Sequence, residues 1–106
     1  EILSKSLEEA KEEGLRPSIY THPLGTYGHS AGSTIGMWDA QGGVPVKGDY
    51  PLFENTAYAI ELNTTVYIKE WDRDVRIMLE EPGFFGKDGF RYIDPRQENI
   101  HVIKAK

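Results

Sequence analysis

The sequence predicts an α+β fold, with one N-terminal helix packed on a curved, mainly antiparallel sheet. The chain opens with a segment of helical apolar spacing, and short segments rich in β-branched and aromatic residues follow, separated by turn residues. With 106 residues, 39% of them hydrophobic and 27% charged, the composition is that of a globular domain. We therefore predict a single domain over 1–106.

The N-terminal helix is predicted from apolar residues at helical spacing, namely Leu3, Leu7 and Ala10. Gly14 is placed to end the helix at C′. Ser6 with Glu9 would form a capping box if the helix began there. Because the chain starts at Glu1 rather than Met and enters a helix at once, we expect a fragment of a larger catalytic domain.

The strands are predicted where β-branched and aromatic residues cluster between turn signals. The first covers 18–22, and the later ones cover 57–71 (as one long strand or two), 74–81, 90–93 and 99–104. Turns are predicted at 71–74, 82–83 and 86–89. Seven of the eleven glycines fall between Gly25 and Gly48, and 40–56 predicts a structured excursion rather than a repeat or a low-complexity linker.

Charge and composition exclude several classes of partner. The net charge of −5 leaves no extended basic surface for a phosphate backbone, so we expect no nucleic-acid partner. No apolar stretch reaches membrane-spanning length, and no signal-peptide pattern opens the chain, so we expect no membrane partner. Cysteine is absent, which leaves His, Asp and Glu as the strong metal ligands. The compartment is not predicted.

A carboxylate and two histidines indicate a metal site. Alternation along a strand places Glu61 on the same face as Ala57 and Ala59, whose small side chains leave space beside it. A carboxylate within an apolar strand needs a partner. The glycine-rich loop can present His22 and His29 at fixed points because glycine adopts backbone conformations that other residues avoid.

Four motifs follow one another along nearly the whole chain: the Glu-Glu-Gly of 12–14, the histidine loop of 22–32, the Ala-Ile-Glu-Leu of 59–62 and the Val-Arg-Ile-Met-Leu-Glu-Glu of 75–81. Their order resembles that of the pita-bread metallopeptidases, which include creatinases, methionine aminopeptidases, Xaa-Pro aminopeptidases and prolidases. The chain resembles the Xaa-Pro aminopeptidases and the prolidases in particular.

That resemblance implies the C-terminal portion of a pita-bread catalytic domain holding two divalent metal ions, which would be manganese, cobalt, zinc or iron. Of the five family ligands it implies His29, Glu61 and Glu80, and it places two aspartates in the missing N-terminal half. Glu61 would also contact the nucleophilic water and move its proton. His22 would donate a hydrogen bond near the peptide carbonyl or leaving amide.

Two family spacings differ in this chain. The family places its loop histidines four apart, whereas His22 and His29 are seven apart. It places the last glutamate two residues after the arginine, which would make Met78 the strict counterpart. We prefer Glu80, four residues after Arg76, because the offset of two keeps the same strand face.

The resemblance implies part of a metal-dependent Xaa-Pro aminopeptidase or dipeptidase-like hydrolase, in which metal-activated water attacks the peptide bond. Its partners would be a peptide substrate and the missing N-terminal half. Because two aspartates are absent, we expect the fragment alone to be inactive, and whether it binds metal stays open. An apolar sheet face without that half also predicts self-association. The alternative is a non-catalytic binding or structural module of the same fold.

Several other side chains have a structural interpretation. Trp38, Tyr50, Tyr67 and Trp71 are interpreted as packing groups rather than as a substrate cage. His101 alternates with Ile100 and Val102 and is interpreted as a surface residue of the last strand.

Overall fold

A computed structural model, which describes residues 1–105, begins with the predicted helix. Helix α1 covers Ile2–Glu12. Gly14 has a φ of 78°, its N–H donates to the carbonyl of Lys11 at 2.9 Å, and the N–H of Leu15 donates to Ala10 at 3.0 Å. These two bonds form a Schellman motif, which satisfies carbonyls that the helix itself leaves unpaired. The helix starts upstream of Ser6, so the predicted capping box does not begin it.

The rest of the regular structure is one antiparallel sheet in chain order, β1-β2-β3-β4. Its strands are β1 (Arg16–Pro23), β2 (Thr56–Ile68), β3 (Arg73–Gly86) and β4 (Gly89–Tyr92), with a short 3₁₀ turn at Lys69–Trp71. Helix α1 packs against β1. The α+β class and the turn predicted at 86–89 are confirmed, and the turn predicted at 71–74 lies two residues earlier, at 69–72, because Arg73 and Asp74 already pair with β2.

The turn predicted at 82–83 is wrong, because β3 continues through Pro82 and Gly83. The Pro82 carbonyl accepts from the N–H of Ile93 at 3.1 Å, on the side away from β2. Since the N–H and C=O of one residue point to the same side of an antiparallel strand, the proline removes no bond from the β2 ladder. Gly83 leaves room for Phe90, whose ring would lie 2.2 Å from a Cβ there.

The strand predicted at 99–104 is also wrong for this conformation. Residues 99–105 form neither helix nor strand, and their side chains are exposed. His101 is therefore a surface residue, as interpreted, but not part of a strand.

Residues 24–55 form a long irregular excursion that returns to the outer edge of β1. Ile35 and Thr21 exchange two backbone hydrogen bonds of 2.9 Å. The side chain of Gln41 accepts from the N–H of Ile19 at 2.8 Å and donates to the carbonyl of the same residue at 2.7 Å. It also donates to Met37 at 2.6 Å. The excursion thus pairs backbone groups that an edge strand would otherwise leave open.

The apolar core is small. Among the described residues, only Tyr58 and Ala59 are buried hydrophobic side chains, each 2% exposed. The accessible surface is 8600 Å², against about 6000 Å² for a folded monomer of this size. The radius of gyration is 15.7 Å, against about 13 Å. The chain by itself therefore leaves much apolar surface in contact with solvent.

The interpretation of four aromatic residues as packing groups is wrong in this structure. More than half of the surface of each is exposed: Trp38, Tyr50, Tyr67 and Trp71. No helix in the described part of the chain is long and apolar enough to cross a membrane.

Candidate metal site

Strand β1 places His22 next to its C-terminal end, where the side chain is buried. The residue is 4% exposed, and its direct partner on β2 is Ala59. Because alanine occupies so little volume, the imidazole can lie over the sheet and reach Glu61, which is two residues further along β2 and on the same face. Its Nε2 lies 2.7 Å from Oε1 of Glu61.

The two ring nitrogens of His22 have different partners. Nδ1 lies 2.9 Å from the carbonyl oxygen of Pro23. A carbonyl can only accept, so Nδ1 carries a hydrogen and donates it. Nε2 is then the ring nitrogen that faces Oε1 of Glu61 at hydrogen-bond distance. A metal ion held between them would bind the neutral imidazole and the carboxylate in their deprotonated forms.

The glycine-rich loop brings His29 onto this pair. Its imidazole stacks on that of His22, with ring centroids 4.2 Å apart and 12° between the ring planes. The loop closes because the N–H of Ser30 donates to the Pro23 carbonyl at 3.0 Å. A Cβ on Gly25 would lie 2.8 Å from the His29 carbonyl, so glycine is needed where the loop approaches itself.

His22, His29 and Glu61 each offer one ligand atom within 4.8 Å of the others. The sequence indicates a metal site from this carboxylate and these two histidines, and the structure brings all three side chains together. The three differ in exposure: His22 is buried, the Glu61 side chain is 33% exposed, and His29 is exposed. The cluster therefore has a fixed, buried side and a side open to solvent.

The donor set suits a borderline divalent metal. Imidazole nitrogen and carboxylate oxygen are ligands for manganese, iron, cobalt and zinc. The hydrogen bond from Nδ1 to Pro23 is the supporting contact that metal-binding histidines usually make, since it fixes the tautomer that leaves Nε2 free to bind. These contacts fit a metal site.

Glu80 is on the correct face but outside the cluster. It lies directly opposite Glu61 in the β2–β3 register and so on the same sheet face, yet it is exposed and is not among the three converging residues. Like charges directly opposite on a sheet repel. Met78, on the same face, is also exposed and belongs to no such cluster among the described residues. The structure does not bring either residue to the two histidines.

Two residues near the cluster were not predicted from the sequence. Tyr20, the direct partner of Glu61 on β1, lies with its ring centroid 5.0 Å from that of His22. Tyr20 is two residues from His22 on β1, and alternation along the strand therefore places both side chains on the same face. Gln41 lies farther off and holds β1 in position, and no sequence signal identifies it because its partners are backbone groups of a distant strand.

The other ion pairs of the described residues lie on the surface. Arg16 pairs with Asp74 across the sheet, and both side chains are more than half exposed. The phenol of Tyr67 donates to Asp72 at 2.5 Å, and this bond, with lesser effects of burial and of Asp74, raises the pKa of Tyr67 above its ordinary value. Neither pair belongs to the histidine cluster.

Comparison with known proteins identifies no relative. No known protein family matches the chain, and neither a curated protein nor a solved structure does.

Proposed function

We propose that His22, His29 and Glu61 bind a divalent metal ion, and that the chain is the C-terminal part of a pita-bread metallopeptidase acting on Xaa-Pro peptides. The observation that carries the proposal is the convergence of three ligand atoms within 4.8 Å around a buried histidine. The order of the motifs along the sequence supports the peptidase assignment.

The three residues would have different tasks. His22 lies opposite Ala59 and is held by Pro23, so it would serve as the fixed ligand rather than as the hydrogen-bond donor to the substrate that the resemblance implies. His29 and Glu61 are reachable from solvent, so they would lie on the substrate side. When bound, a divalent ion in such a site polarises a carbonyl oxygen and lowers the pKa of a bound water. Glu61 is placed to accept a proton there, because its carboxylate lies within the cluster and its side chain is 33% exposed.

A second ion would need ligands beyond these three. Glu80 faces Glu61 across the β2–β3 pair and could approach it by changing rotamer. The remaining two aspartates would come from the missing N-terminal half. We accordingly expect one ion at most with the chain alone and hydrolysis only with that half present.

The alternative function is a non-catalytic binding module. The position of Glu80 outside the cluster favours it, because the two-metal site of the peptidase would then lack one of the ligands that the resemblance implies. The two proposals agree on metal binding and differ on hydrolysis.

Metal binding is tested by titrating the chain with manganese and, separately, zinc, followed by calorimetry. His29→Ala and Glu61→Gln should weaken binding by more than the roughly 10–100-fold that loss of a supporting hydrogen bond costs. His101→Ala is the matched control, since that histidine is exposed and belongs to no such cluster among the described residues. Equal affinities in all four proteins would refute the site.

Hydrolysis is tested on the protein extended by its upstream residues, with manganese or cobalt and Xaa-Pro peptides. We expect cleavage that Glu61→Gln abolishes. Metal binding without cleavage would reject the peptidase and leave the binding module.

A further inference from the structure

The outer edge of β3 is open over most of its length. Strand β4 pairs with β3 only over Gly83–Gly86. The bond from the N–H of Ile93 to the Pro82 carbonyl shows which backbone groups face this side, because alternate residues of a strand point the same way. By that alternation, four residues direct their N–H and C=O groups toward the open edge: Asp74, Arg76, Met78 and Glu80. Such an edge is a template for another strand.

A segment with the sequence of a strand lies beside this edge. Three apolar residues of 99–104 are almost fully exposed: Ile100 at 89%, Val102 at 79% and Ile103 at 95%. The N–H of Gln97 donates to Oε1 of Glu81 at 3.3 Å, so the segment begins next to β3. Ile100 and Met78 line the same cleft. An unpaired strand-forming segment and an unpaired edge therefore occur side by side.

We infer that residues 99–104 close onto the open edge of β3 as a fifth, antiparallel strand. The direction follows from β4, which already runs antiparallel to β3 and leads into this segment. The contact between Gln97 and Glu81 sets the register, in which Ile100 lies opposite Met78 and Val102 opposite Arg76. Residues 94–96 form a bulge, where Pro95 has no N–H to offer the ladder.

Hydrogen bonds and apolar burial drive the closure. In this register the backbone of Val102 exchanges two hydrogen bonds with that of Arg76, and Ile100 does the same with Met78. On the other face, Ile103 comes opposite Val75.

This register would also place Lys104 near Asp74, and that ion pair would contribute little to the stability of the closed form. Lys104 would lie opposite Asp74, which already pairs with Arg16, and exposed ion pairs are weak.

The segment of the same chain is favoured over a second copy because it is tethered. A short tether gives an effective concentration in the millimolar range, far above that of free protein in dilute solution. The closure is independent of metal binding, but it would order the backbone of Glu80, the residue that faces Glu61.

The test is amide hydrogen exchange at Arg76 and Met78, whose N–H groups have no partner on the open edge unless the segment closes. Val102→Pro removes the N–H that would pair with Arg76 and should speed exchange at both amides at least tenfold. His101→Pro is the control, because its N–H points away from β3 and its loss should leave both amides protected.

Two results would overturn the inference. The first is exchange at Arg76 and Met78 that is equally fast in the unsubstituted chain and in Val102→Pro. The second is protection that disappears on tenfold dilution, which would assign the edge to a second copy. Slow exchange of the Tyr58 amide in both variants verifies that the sheet itself is intact.

Discussion

The two outer edges of this sheet differ in whether their backbone groups have hydrogen-bond partners. Along β1, the excursion supplies a backbone partner for Thr21 and a side-chain partner for Ile19, so the edge is closed. Along β3, the backbone beyond β4 has no partner in the described part of the chain. The buried His22 lies on β1, next to the closed edge, and the exposed Glu80 lies on β3, at the open edge. The difference teaches that the excursion both protects an edge and fixes one half of the candidate site.

The largest expected loss of stability follows from a substitution at Gly36, beside the closed edge of β1. A Cβ there would lie 2.1 Å from the Ile19 carbonyl, and φ is +69°. Gly36→Ala should lower the free energy of unfolding by roughly 2–5 kcal/mol, since positive φ costs about 1–2 kcal/mol and overpacking about 1–3 kcal/mol. Denaturant unfolding measures this. Gly42→Ala is the control, because nothing lies within 4 Å of its Cβ, and equal losses in both would contradict the packing described.

A smaller effect is expected at Gln41. Gln41→Ala leaves the N–H and C=O of Ile19 without their side-chain partner, which should cost about 1–3 kcal/mol of unfolding free energy. Exchange of the Ile19 amide should accelerate with it. Gln97→Ala removes an exposed glutamine and should change stability by less than about 0.5 kcal/mol. An unchanged Ile19 amide in Gln41→Ala would show that the excursion does not hold this edge.

On the open side, truncation should cost little. Met78 is 71% exposed, and closure of 99–104 would add only a cross-strand contact with Ile100, so Met78→Ala should lower the free energy of unfolding by no more than about 1 kcal/mol. A larger loss would mean that a further surface covers β3 and that the two edges do not differ as described. Thermal and denaturant unfolding of Met78→Ala and Gln41→Ala under one set of conditions decide this.

The smallest effect concerns Tyr67, at the hairpin end shared by β2 and β3. Its bond to Asp72 raises the pKa of the phenol, so the stabilisation is complete below the unfolded value of about 10 and is lost as pH rises through the higher folded value. Asp72→Asn should bring the phenol pKa back toward its ordinary value, and asparagine tolerates the φ of 48° there. An ultraviolet phenolate titration, with Tyr67→Phe to assign the signal, measures it. Identical titrations would contradict the bond.

The sequence predicted best those elements whose conformation depends on residues adjacent in the chain, namely the helix end and the tight turns. The helix end at Gly14 and the turn at 86–89 depend on neighbours in sequence and are confirmed, and the turn predicted at 71–74 occurs two residues earlier, at 69–72. The turn at 82–83 was wrong because its outcome depends on Phe90 and on which side of the strand Pro82 faces. The strand at 99–104 has the right composition, but in this conformation no neighbouring strand pairs with it.

The candidate site could be predicted only as far as the alternation of side chains along each strand allows. Alternation put Glu61 on one face with Ala57 and Ala59, and Glu80 on one face with Met78. It could not show that Glu61 and Glu80 lie opposite each other or that Glu80 stays outside the cluster, since these depend on strand register and on rotamers. Nor could it show that His22 lies at hydrogen-bond distance from Glu61, because that contact requires the β1–β2 register. The peptidase activity stays a prediction.

The excursion also has a consequence for engineering. Its two ends are tied together, since the N–H of Leu24 donates to the Ala57 carbonyl at 2.7 Å. Extra residues inserted at Gly42 and Gly43, which lie in open space, would lengthen a loop that is already closed at its base. Each doubling of loop length costs only about 0.6 kcal/mol. The molecule could therefore carry a grafted peptide or reporter at this point without moving His22.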